Sequence, residues 1–468
     1  MDITDSDHGA VPGPVAGALL SDAYVTSLAR LAYLWGWPLV NMHNRLRLMA
    51  QFPTPGLLAG IVPGGPPGTL GMLHDYVRPE QRIVACPNQD VVYGFGLLAA
   101  EAGPSVLQVP DFQDRFWVIQ LVDQRTDAFA RMGSLYGTRP GHYLIAPKEW
   151  DGEVPPGIEE VFRYDTRAGA VIPRVFMDDT DEDRAAVLPF VERISMYPLA
   201  EFDGSLKRVD WPSAPTFPPP AASTATTGGR GAETAWVDPE HFFDQLGTVM
   251  TEVPPLPGEE ALYAWFNSLP TAAKTDPALR AALRQAAQAA ETELVAPLFQ
   301  YRNIGLPSAH GWTTHRNGAC FGTDYLSRTA LAKANMFVNP PEETAYYQQD
   351  LDTTGARLHG ANTYTLAFPA DGVPPVRGFW SLTLYDEHHF FHPNELSRFS
   401  LGTKTKDLHF EEDGSLVITV GGEKPTRPEL LPNWLPAPTA EFSLFLRAYW
   451  PDKAVLDQAW TPPAVHKL

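Results

Sequence analysis

The chain has 468 residues and a mass of 51.5 kDa, a size at which one hydrophobic core usually stops growing, so two or more packed units are expected. Hydrophobic residues make up 44% and charged residues 19% of the sequence, which excludes a wholly disordered chain and a coiled coil. The formal charge of -20 repels phosphate backbones and anionic lipids, and there is no apolar run long enough to span a bilayer, so we expect neither nucleic acid nor a membrane as partner.

The cysteines and the N-terminus predict the compartment. Cys86 and Cys320 stand far apart and match neither a zinc motif nor a disulfide framework, so we expect two reduced thiols. Residues 1–10 include acids but no basic cluster, and the apolar patch at 15–20 is too short for the core of a signal peptide. The sequence therefore predicts a cytoplasmic protein.

The first predicted element is a long helix in an N-terminal helical segment that covers residues 1–80. Apolar side chains at positions 24, 28, 31 and 35 recur at the spacing of one helix face. Ser21 stands where an N-terminal capping residue is expected. Pro38 predicts a kink, after which the same apolar stripe continues towards Phe52.

Residues 81–212 predict a β domain. Short β-rich runs alternate with Gly, Pro and Asp, which is typical of an antiparallel sandwich or jelly roll, and the clearest runs cover 105–109, 116–122 and 142–145. Residues 213–234 combine Pro, Ala, Ser, Thr and Gly with hardly any large apolar side chain. That composition predicts a flexible linker.

The rest of the chain predicts a helical middle segment, 235–350, and a second β domain, 351–468. Helical patterns cover residues 239–250, 258–267 and 276–301, the last of them rich in alanine. Strand patterns return at 363–368, 379–385, 415–420 and 442–449.

An internal repeat links the two β domains. Phe116-Trp117 is followed by Leu and Asp at the same offsets as Phe379-Trp380, and a Gly-Thr-basic triplet follows each copy, at 137–139 and at 402–404. The sequence therefore predicts an α+β protein with two antiparallel, jelly-roll-like β-sandwich domains related by duplication. Helical segments precede the first sandwich and separate it from the second.

Segments of both halves resemble one two-domain bacterial family. In the first half these are AYLWGWPLV at 32–40, PNQDVVYG at 87–94, Val109-Pro110-Asp111 with Arg115, and QLVD at 120–123. In the second half they are Gly311-Trp312, GTDYLSR at 322–328, NPPEE at 339–343, GAN at 360–362, FWSL at 379–382 with Tyr385-Asp386, NWLP at 433–436 and YWP at 449–451.

The family is known by two labels, domain of unknown function twelve fifty-four for the first half and twelve fourteen for the second. The resemblance implies helical segments with two jelly-roll-like β domains, and it implies no settled reaction. Many relatives look exported, whereas this sequence has no signal peptide pattern. Gln89 and Val91 also stand where the family motif often has Asn and Thr, and the loop EHHFFH at 387–392 is unusual for the family.

A polar cluster at the start of an apolar run is the first candidate site. It contains Asn88, Gln89 and Asp90, with Tyr93 three residues further on. Strand ends present polar groups to cavities, so we predict proton transfer for Asp90, a catalytic hydrogen bond from Tyr93, and substrate binding by Asn88 and Gln89. The alternative is turn chemistry, in which Asn and Asp side chains bond their own backbone.

The segment after the aromatic strand of the second half is another candidate. We predict Tyr385 and Asp386 as substrate-binding residues and His389 as a second acid/base group. A divalent metal held by the loop from His388 to His392 is the alternative, although the spacing matches no HExxH or facial-triad motif. A solvated loop that follows a strand is also open.

The third candidate is a helical segment that begins near residue 325. Tyr325 and Arg328 lie three residues apart, on one face of a helix, so Tyr325 is predicted to donate to an oxyanion and Arg328 to clamp an anion. Trp312 is predicted to form a stacking wall for the substrate. The alternative for Arg328 is an ion pair between domains, with Asp123 or Asp386.

Several catalytic signatures do not occur, among them the GxSxG elbow, the phosphate loop and the GxGxxG fingerprint. We therefore predict a small-molecule enzyme that uses acid/base groups without an organic cofactor, as a lyase, isomerase or hydrolase on a neutral or weakly anionic substrate. The alternatives are a non-catalytic binder of a carbohydrate or lipid-like ligand, and a metal-dependent enzyme. A homodimer is compatible with exposed sandwich edges.

Overall fold

The computed structural model describes residues 20–218, 236–299 and 305–468, and it confirms the predicted α+β class. The helices are α1 Asp22–Met49, α2 Asp181–Val191, α3 Phe242–Glu252, α4 Glu260–Ala273, α5 Pro277–Ala290, α6 Tyr325–Asn335 and α7 Lys453–Leu456. Within the described ranges, none of them is both long enough and apolar enough to cross a membrane.

Strands occur on either side of the helical segment α3 to α5. Those before it are β1 Gly56–Leu58, β2 Val62–Gly64, β3 Leu70–Met72, β4 Val91–Ala99, β5 Ser105–Val109, β6 Trp117–Asp123, β7 Ala128–Ala130, β8 Gly141–Pro147, β9 Ile158–Tyr164, β10 Ala168–Phe176, β11 Ser195–Pro198 and β12 Thr216–Phe217. Those after it are β13 Leu306–Pro307, β14 Thr313–Thr314, β15 Thr344–Gln349, β16 Thr363–Phe368, β17 Trp380–Asp386, β18 Ser400–Gly402, β19 Leu416–Gly421, β20 Trp434–Pro436, β21 Phe442–Tyr449 and β22 His466–Lys467.

Each half builds two larger sheets that share a core. In the first half the strand orders are β3-β4-β10-β6-β7 and β11-β5-β8-β9, and a small third sheet has the order β12-β1-β2. In the second half the orders are β13-β14-β15-β21-β17-β18 and β20-β19-β16-β22. Pairing is mainly antiparallel, with parallel contacts of β8 to β9, β19 to β20 and β1 to β12.

Helix α1 begins and continues for clear local reasons. Its cap is Ser21, as predicted, whose hydroxyl accepts from the backbone N–H of Tyr24 at 3.3 Å. The helix does not end at Pro38, although proline has no N–H to offer the carbonyl of Leu34 one turn earlier. The hydroxyl of Thr329 in α6 donates to that carbonyl instead, at 2.7 Å.

Close packing fixes the other face of α1 against α3. A Cβ atom added to Gly36 would lie 2.9 Å from the Phe242 ring, so any larger residue at this crossing would force that ring to move. Tyr33 and Trp37, on either side of it, donate to the carboxylate of Glu291 at 2.8 and 3.2 Å. The segment AYLWGWPLV is therefore the part of α1 that packs against α3 and the turn after α5.

The predicted elements agree closely with the observed ones in their β parts. The predicted strands 105–109, 363–368 and 442–449 have the bounds of β5, β16 and β21, and the other predicted strands lie within β6, β8, β17 and β19 to within a residue. The predicted helix 276–301 is α5, followed by a π turn and a 3-10 turn to residue 299; its last two residues lie outside the described ranges. Residues 213–218 of the predicted linker lie in a turn and in β12, and 219–234 are outside the described residues.

Candidate functional site

The candidate site begins with two side chains that face each other across a sheet. Tyr93 in β4 is the cross-strand neighbour of Arg174 in β10, so both side chains lie on one face of the sheet. The guanidinium carbon of Arg174 is 5.5 Å from the centre of the Tyr93 ring. Arg174 also donates to the side-chain oxygen of Gln120 at 2.9 Å and to the carbonyl of Phe337 at 2.7 Å.

The second half repeats this arrangement. Tyr346 in β15 is the cross-strand neighbour of Arg447 in β21. Arg447 donates to the hydroxyl of Tyr385 at 2.8 Å and to the carbonyl of Cys86 at 2.9 Å. Both arginines act electrostatically on Tyr346 and on Tyr449, so the two guanidinium groups lie in one neighbourhood.

Both guanidinium groups are buried and charged. Arg174 is 3% and Arg447 is 1% exposed. Burial acts to lower each pKa, but the surrounding tyrosine hydroxyls outweigh it, so the pKa of both groups is raised. Among the described residues no carboxylate forms an ion pair with either arginine, and their hydrogen-bond partners are hydroxyl, amide and carbonyl oxygens. These hydrogen-bond partners carry no negative charge, whereas the buried carboxyl of Glu343 acts on Arg174 electrostatically without forming an ion pair with it.

A cavity of about 110 Å³ opens beside Arg174, and we call it the Arg174 cavity. Its polar lining residues are Arg45, Gln81, Cys86, Tyr93, Arg174 and Asn335. Its apolar lining residues are Met49, Ile61, Val62, Pro63, Leu73, Val77, Ile83, Val84, Ala85, Pro87, Gly94, Phe95, Ile172 and Phe337. The cavity is thus a mainly apolar chamber with two buried arginines, Arg174 and Arg45, in its wall, and none of these lining residues is an acid or a histidine.

The turn that ends at Cys86 gives the cavity one of its walls. Cys86 has a φ of 51°, a left-handed conformation that is uncommon for a residue with a side chain. Its N–H donates to the carbonyl of His389 at 2.9 Å, and its carbonyl accepts from Arg447. The second half therefore holds both backbone groups of Cys86.

The predicted residues Asn88, Gln89 and Asp90 bind the second half. Asn88 donates to the hydroxyl of Tyr449 at 2.8 Å, and its side-chain oxygen accepts from the N–H of Asp90. Gln89 donates to the carbonyl of Ser397 at 2.7 Å. Asp90 accepts from Ser400 at 2.8 Å. These are both turn bonds and contacts between halves, and none of the three residues lines the Arg174 cavity.

The loop after β17 approaches the same strand end. The Tyr385 hydroxyl donates to the carbonyl of Pro87, and Asp386 pairs with Arg82 at 2.9 Å while accepting from the N–H of His388 at 2.9 Å. His389 is buried, and burial lowers the pKa of its imidazole to about 3. His389 is therefore neutral near pH 7. In the described part of the chain, no group of three or more metal-binding side chains is placed to hold an ion.

Tyr325, Arg328 and Trp312 lie outside this neighbourhood. Arg328 forms an ion pair with Asp127 at 2.7 Å, which joins α6 to the first half much as the structural alternative predicted, although with Asp127 instead of Asp123. Tyr325 donates to Glu259 at 2.7 Å. Trp312 is fully buried in the core of the second half and donates to the carbonyl of Pro463. The structure thus brings Tyr93, Asp90, Tyr385 and His389 into one region and places these three residues elsewhere.

No sequence pattern points to Arg174 or Arg447 as site residues. An arginine inside an apolar strand pattern reads as an edge or surface residue, and only the pairing of β4 with β10 places Arg174 opposite Tyr93. The sequence predicts a reduced thiol at Cys86, but it does not predict that Cys86 lines a cavity. The burial of two cations in one neighbourhood depends on the contact between the halves, which no local pattern reports.

The comparisons with known proteins agree with the two-half organisation. Residues 67–198 match the family described as "Protein of unknown function (DUF1254)", and residues 343–453 match "Protein of unknown function (DUF1214)". Both matches confirm the predicted resemblance. No curated protein matches the sequence.

Two solved structures are similar over nearly the whole chain. The crystal structure of the VPA0106 protein from Vibrio parahaemolyticus has 22% sequence identity and a TM-score of 0.62, covering 95% of this chain and 100% of that one. A putative uncharacterized protein from Burkholderia cenocepacia has 11% identity and a TM-score of 0.43, covering 96% of this chain and 94% of that one. The first of these likenesses supports the fold.

Proposed function

The chain belongs to the family that joins these two domains of unknown function, and we propose that it is a small-molecule enzyme that works by proton transfer in the Arg174 cavity without an organic cofactor. The observation that carries this proposal is the buried guanidinium of Arg174, which has no carboxylate partner among the described residues and borders an apolar cavity beside the hydroxyl-bearing ring of Tyr93.

In this proposal Arg174 binds the substrate and Tyr93 exchanges the proton. The guanidinium of Arg174 lies 5.5 Å from the Tyr93 ring, close enough to stabilise negative charge that develops while the Tyr93 hydroxyl exchanges a proton with the substrate. The apolar walls exclude water, which strengthens the interaction between the cation and a developing negative charge. A lyase, an isomerase or a hydrolase that forms an oxyanion or a carbanion fits this chemistry.

The anion-binding role predicted for Arg328 is better supported for Arg174. Arg328 is already paired with Asp127, whereas Arg174 has no such partner among the described residues. Asp90 then has an indirect role. It immediately precedes β4, three residues before Tyr93, and it holds the start of that strand by accepting a hydrogen bond from Ser400. His389 likewise supports the cavity wall through the N–H of Cys86.

A non-catalytic binding protein is the second candidate. The observation that favours it is the lining of the Arg174 cavity, which contains no aspartate, glutamate or histidine. On the enzyme hypothesis, the phenol of Tyr93 and the thiol of Cys86 are then the lining groups left to exchange a proton. If neither does, the cavity only holds its ligand.

We also propose that the two halves arose by duplication of one jelly-roll-like unit. Arg174 is paired with the residue after Trp117, and Arg447 with the residue after Trp380. The backbone N–H of each tryptophan donates at 3.0 Å to the hydroxyl of a residue that follows a glycine, which is Ser134 for Trp117 and Thr403 for Trp380. This shared register supports a common ancestor, with Gly133-Ser134, and not the triplet 137–139, as the counterpart of Gly402-Thr403.

A ligand screen followed by substitution of Tyr93 tests the proposed function. Small organic compounds that raise the melting temperature are assayed for conversion by NMR, with wild type, Tyr93→Phe and the matched surface control Tyr24→Phe. We expect Tyr93→Phe to bind within about threefold of wild type and to lose roughly 100-fold or more in turnover, the usual contribution of an acid/base group. Undiminished turnover would exclude the role of Tyr93. Ligands that bind in the cavity but are never converted would favour the binding protein.

A further inference from the structure

We propose that the ligand of the Arg174 cavity is a small monocarboxylate with a compact apolar group. This inference rests on the proposed function and names its substrate class. The first argument concerns charge. Burying a guanidinium without a negatively charged partner costs folding free energy, and a bound anion removes that cost. Arg125, a buried arginine elsewhere in the fold, has such a partner in Asp123 at 2.6 Å.

Hydrogen-bonding capacity points to a carboxylate. A guanidinium has five N–H donors, and the close acceptors of Arg174 are Gln120, the carbonyl of Phe337 and the Tyr93 hydroxyl. Donors therefore remain for a ligand. The planar fork of an arginine matches the two oxygens of a carboxylate, and such bonds are stronger than neutral ones.

The rest of the cavity argues for a single negative charge. Arg45 is the other cation in the lining, and it already donates to the side chain of Asn41 at 2.8 Å and to the carbonyl of Ile83 at 3.0 Å. Most of the remaining wall is aliphatic or aromatic. A second carboxylate or a phosphate dianion would bury a charge against that wall, at a cost that monoanions avoid.

The volume limits the apolar group. The cavity measures about 110 Å³, somewhat less than the engineered cavities of about 150 Å³ that admit benzene. A branched group of about four carbons, or a single ring after slight adjustment of the walls, is the largest that fits. Isobutyrate and benzoate are therefore suitable probes, and isobutyramide and benzamide are their neutral counterparts of the same shape.

Isothermal titration of the full chain with these four probes tests the inference. We expect each acid to bind at least about tenfold more tightly than its amide, the difference that a charged hydrogen bond makes. Arg174→Gln should abolish that preference. Arg377→Gln, which removes an arginine that is 68% exposed and paired with Asp452, should leave it unchanged.

A variant at the cavity rim locates the binding without touching the cation. Val84 is half-buried and lines the cavity, so Val84→Trp should fill it and weaken both acids and amides more than tenfold, even if Arg174→Gln fails to fold. Amides that bind as tightly as acids, and that Val84→Trp displaces, overturn the carboxylate class but leave the proposed cavity. Acids that bind Val84→Trp normally overturn the site. If none of the four probes binds, the class fails, and other ligands from the screen that Val84→Trp displaces would keep the proposed function.

Discussion

Arg174 and Glu343 lie in the same buried region and show how the two halves deal with charge. Glu343 closes the NPPEE segment, is 2% exposed, and accepts from Asn339 at 2.8 Å and from Tyr136 at 2.9 Å. Burial raises the pKa of its carboxyl to about 7, although these hydrogen bonds and Arg131 act to lower it. The carboxyl is therefore partly protonated at neutral pH, and it does not fully neutralise the arginines.

Glu343 should make stability depend on pH in the direction opposite to an ordinary paired acid. Between pH 4.5 and 7 the folded chain keeps a proton that the unfolded chain has lost, so the contribution of this group to stability falls as the pH rises through that window. This contribution of Glu343 to the free energy of unfolding is about 3 kcal/mol. Glu343→Gln removes the ionisation, and its amide oxygen can accept from Asn339 while its amide nitrogen donates to the Tyr136 hydroxyl, so it should gain about that much unfolding free energy relative to wild type between pH 5 and pH 8.

Urea unfolding at the two pH values measures this difference. The matched control is Glu342→Gln, which removes the neighbouring acid, a surface partner of Arg131 that is 43% exposed. The control should follow wild type at both pH values. A constant difference between Glu343→Gln and wild type would show that Glu343 titrates as in the unfolded chain.

At the residue scale, the sequence could predict groups whose role depends on local pattern. Asn88 and Asp90 form the turn bonds that Asx chemistry predicts, and they also meet the second half. The sequence predicts Tyr93 as a site residue, and Tyr93 lines the cavity. Arg174 could not be predicted from the sequence. Its importance depends on the pairing of β10 with β4, which places it opposite Tyr93, and on the lack of a carboxylate ion-pair partner among the described residues, and both depend on tertiary structure.

At the element scale, α1 shows how one proline is accommodated by another helix. Pro38 leaves the carbonyl of Leu34 without its helical donor, and Thr329 supplies the missing hydrogen bond from α6. Thr329 is fully buried. The sequence predicts a kink at Pro38 but not this compensation, because the donor lies 295 residues away from Leu34. Periodicity therefore gave the elements and their faces, whereas the bonds between elements required the fold.

Thr329→Val should destabilise the chain by about 1–3 kcal/mol, because it leaves a buried carbonyl unsatisfied while keeping the side-chain shape. In a Pro38→Ala background the N–H of residue 38 can bond to Leu34, so the same substitution should cost clearly less. A double-mutant cycle of urea unfolding measures the coupling. Thr251→Val, which removes an exposed hydroxyl from α3, is the control. Equal costs of Thr329→Val in both backgrounds would show that the Thr329 bond does not replace the one that Pro38 lacks.

At the scale of the whole molecule, the two halves share hydrophobic clusters and do not form independent cores. One hydrophobic cluster contains Leu107 and Val175 from the first half together with Leu331, Phe399 and Phe445 from the second. Another packs Phe116 against Phe379 and Tyr449. The sequence predicted two β domains, and it could not predict that their cores merge, since apolar strands look the same whether they face their own sheet or a neighbour.

The polar centre of this contact is Asp90 with Lys404. Both side chains are 1% exposed, and the ammonium of Lys404 lies 3.7 Å from an oxygen of Asp90. Burial lowers the pKa of Lys404, and Asp90 acts against that shift. The pair therefore places a negative charge from the first half against a positive charge from the second, inside the protein.

We therefore expect Asp90→Asn to lower the stability of the fold and not to remove a proton-transfer group. Removing one member of a buried ion pair leaves the other uncompensated and costs about 3–5 kcal/mol, so we expect a lower urea midpoint for the whole chain. Adding Lys404→Met should restore part of that loss, because an apolar pair of similar size buries no charge. Asp114→Asn, at an exposed acid of the same half, is the control and should leave the midpoint unchanged. If Asp90→Asn instead keeps the wild-type midpoint and abolishes turnover, Asp90 is the proton-transfer group that the sequence predicted, and the contact between the halves does not depend on its charge.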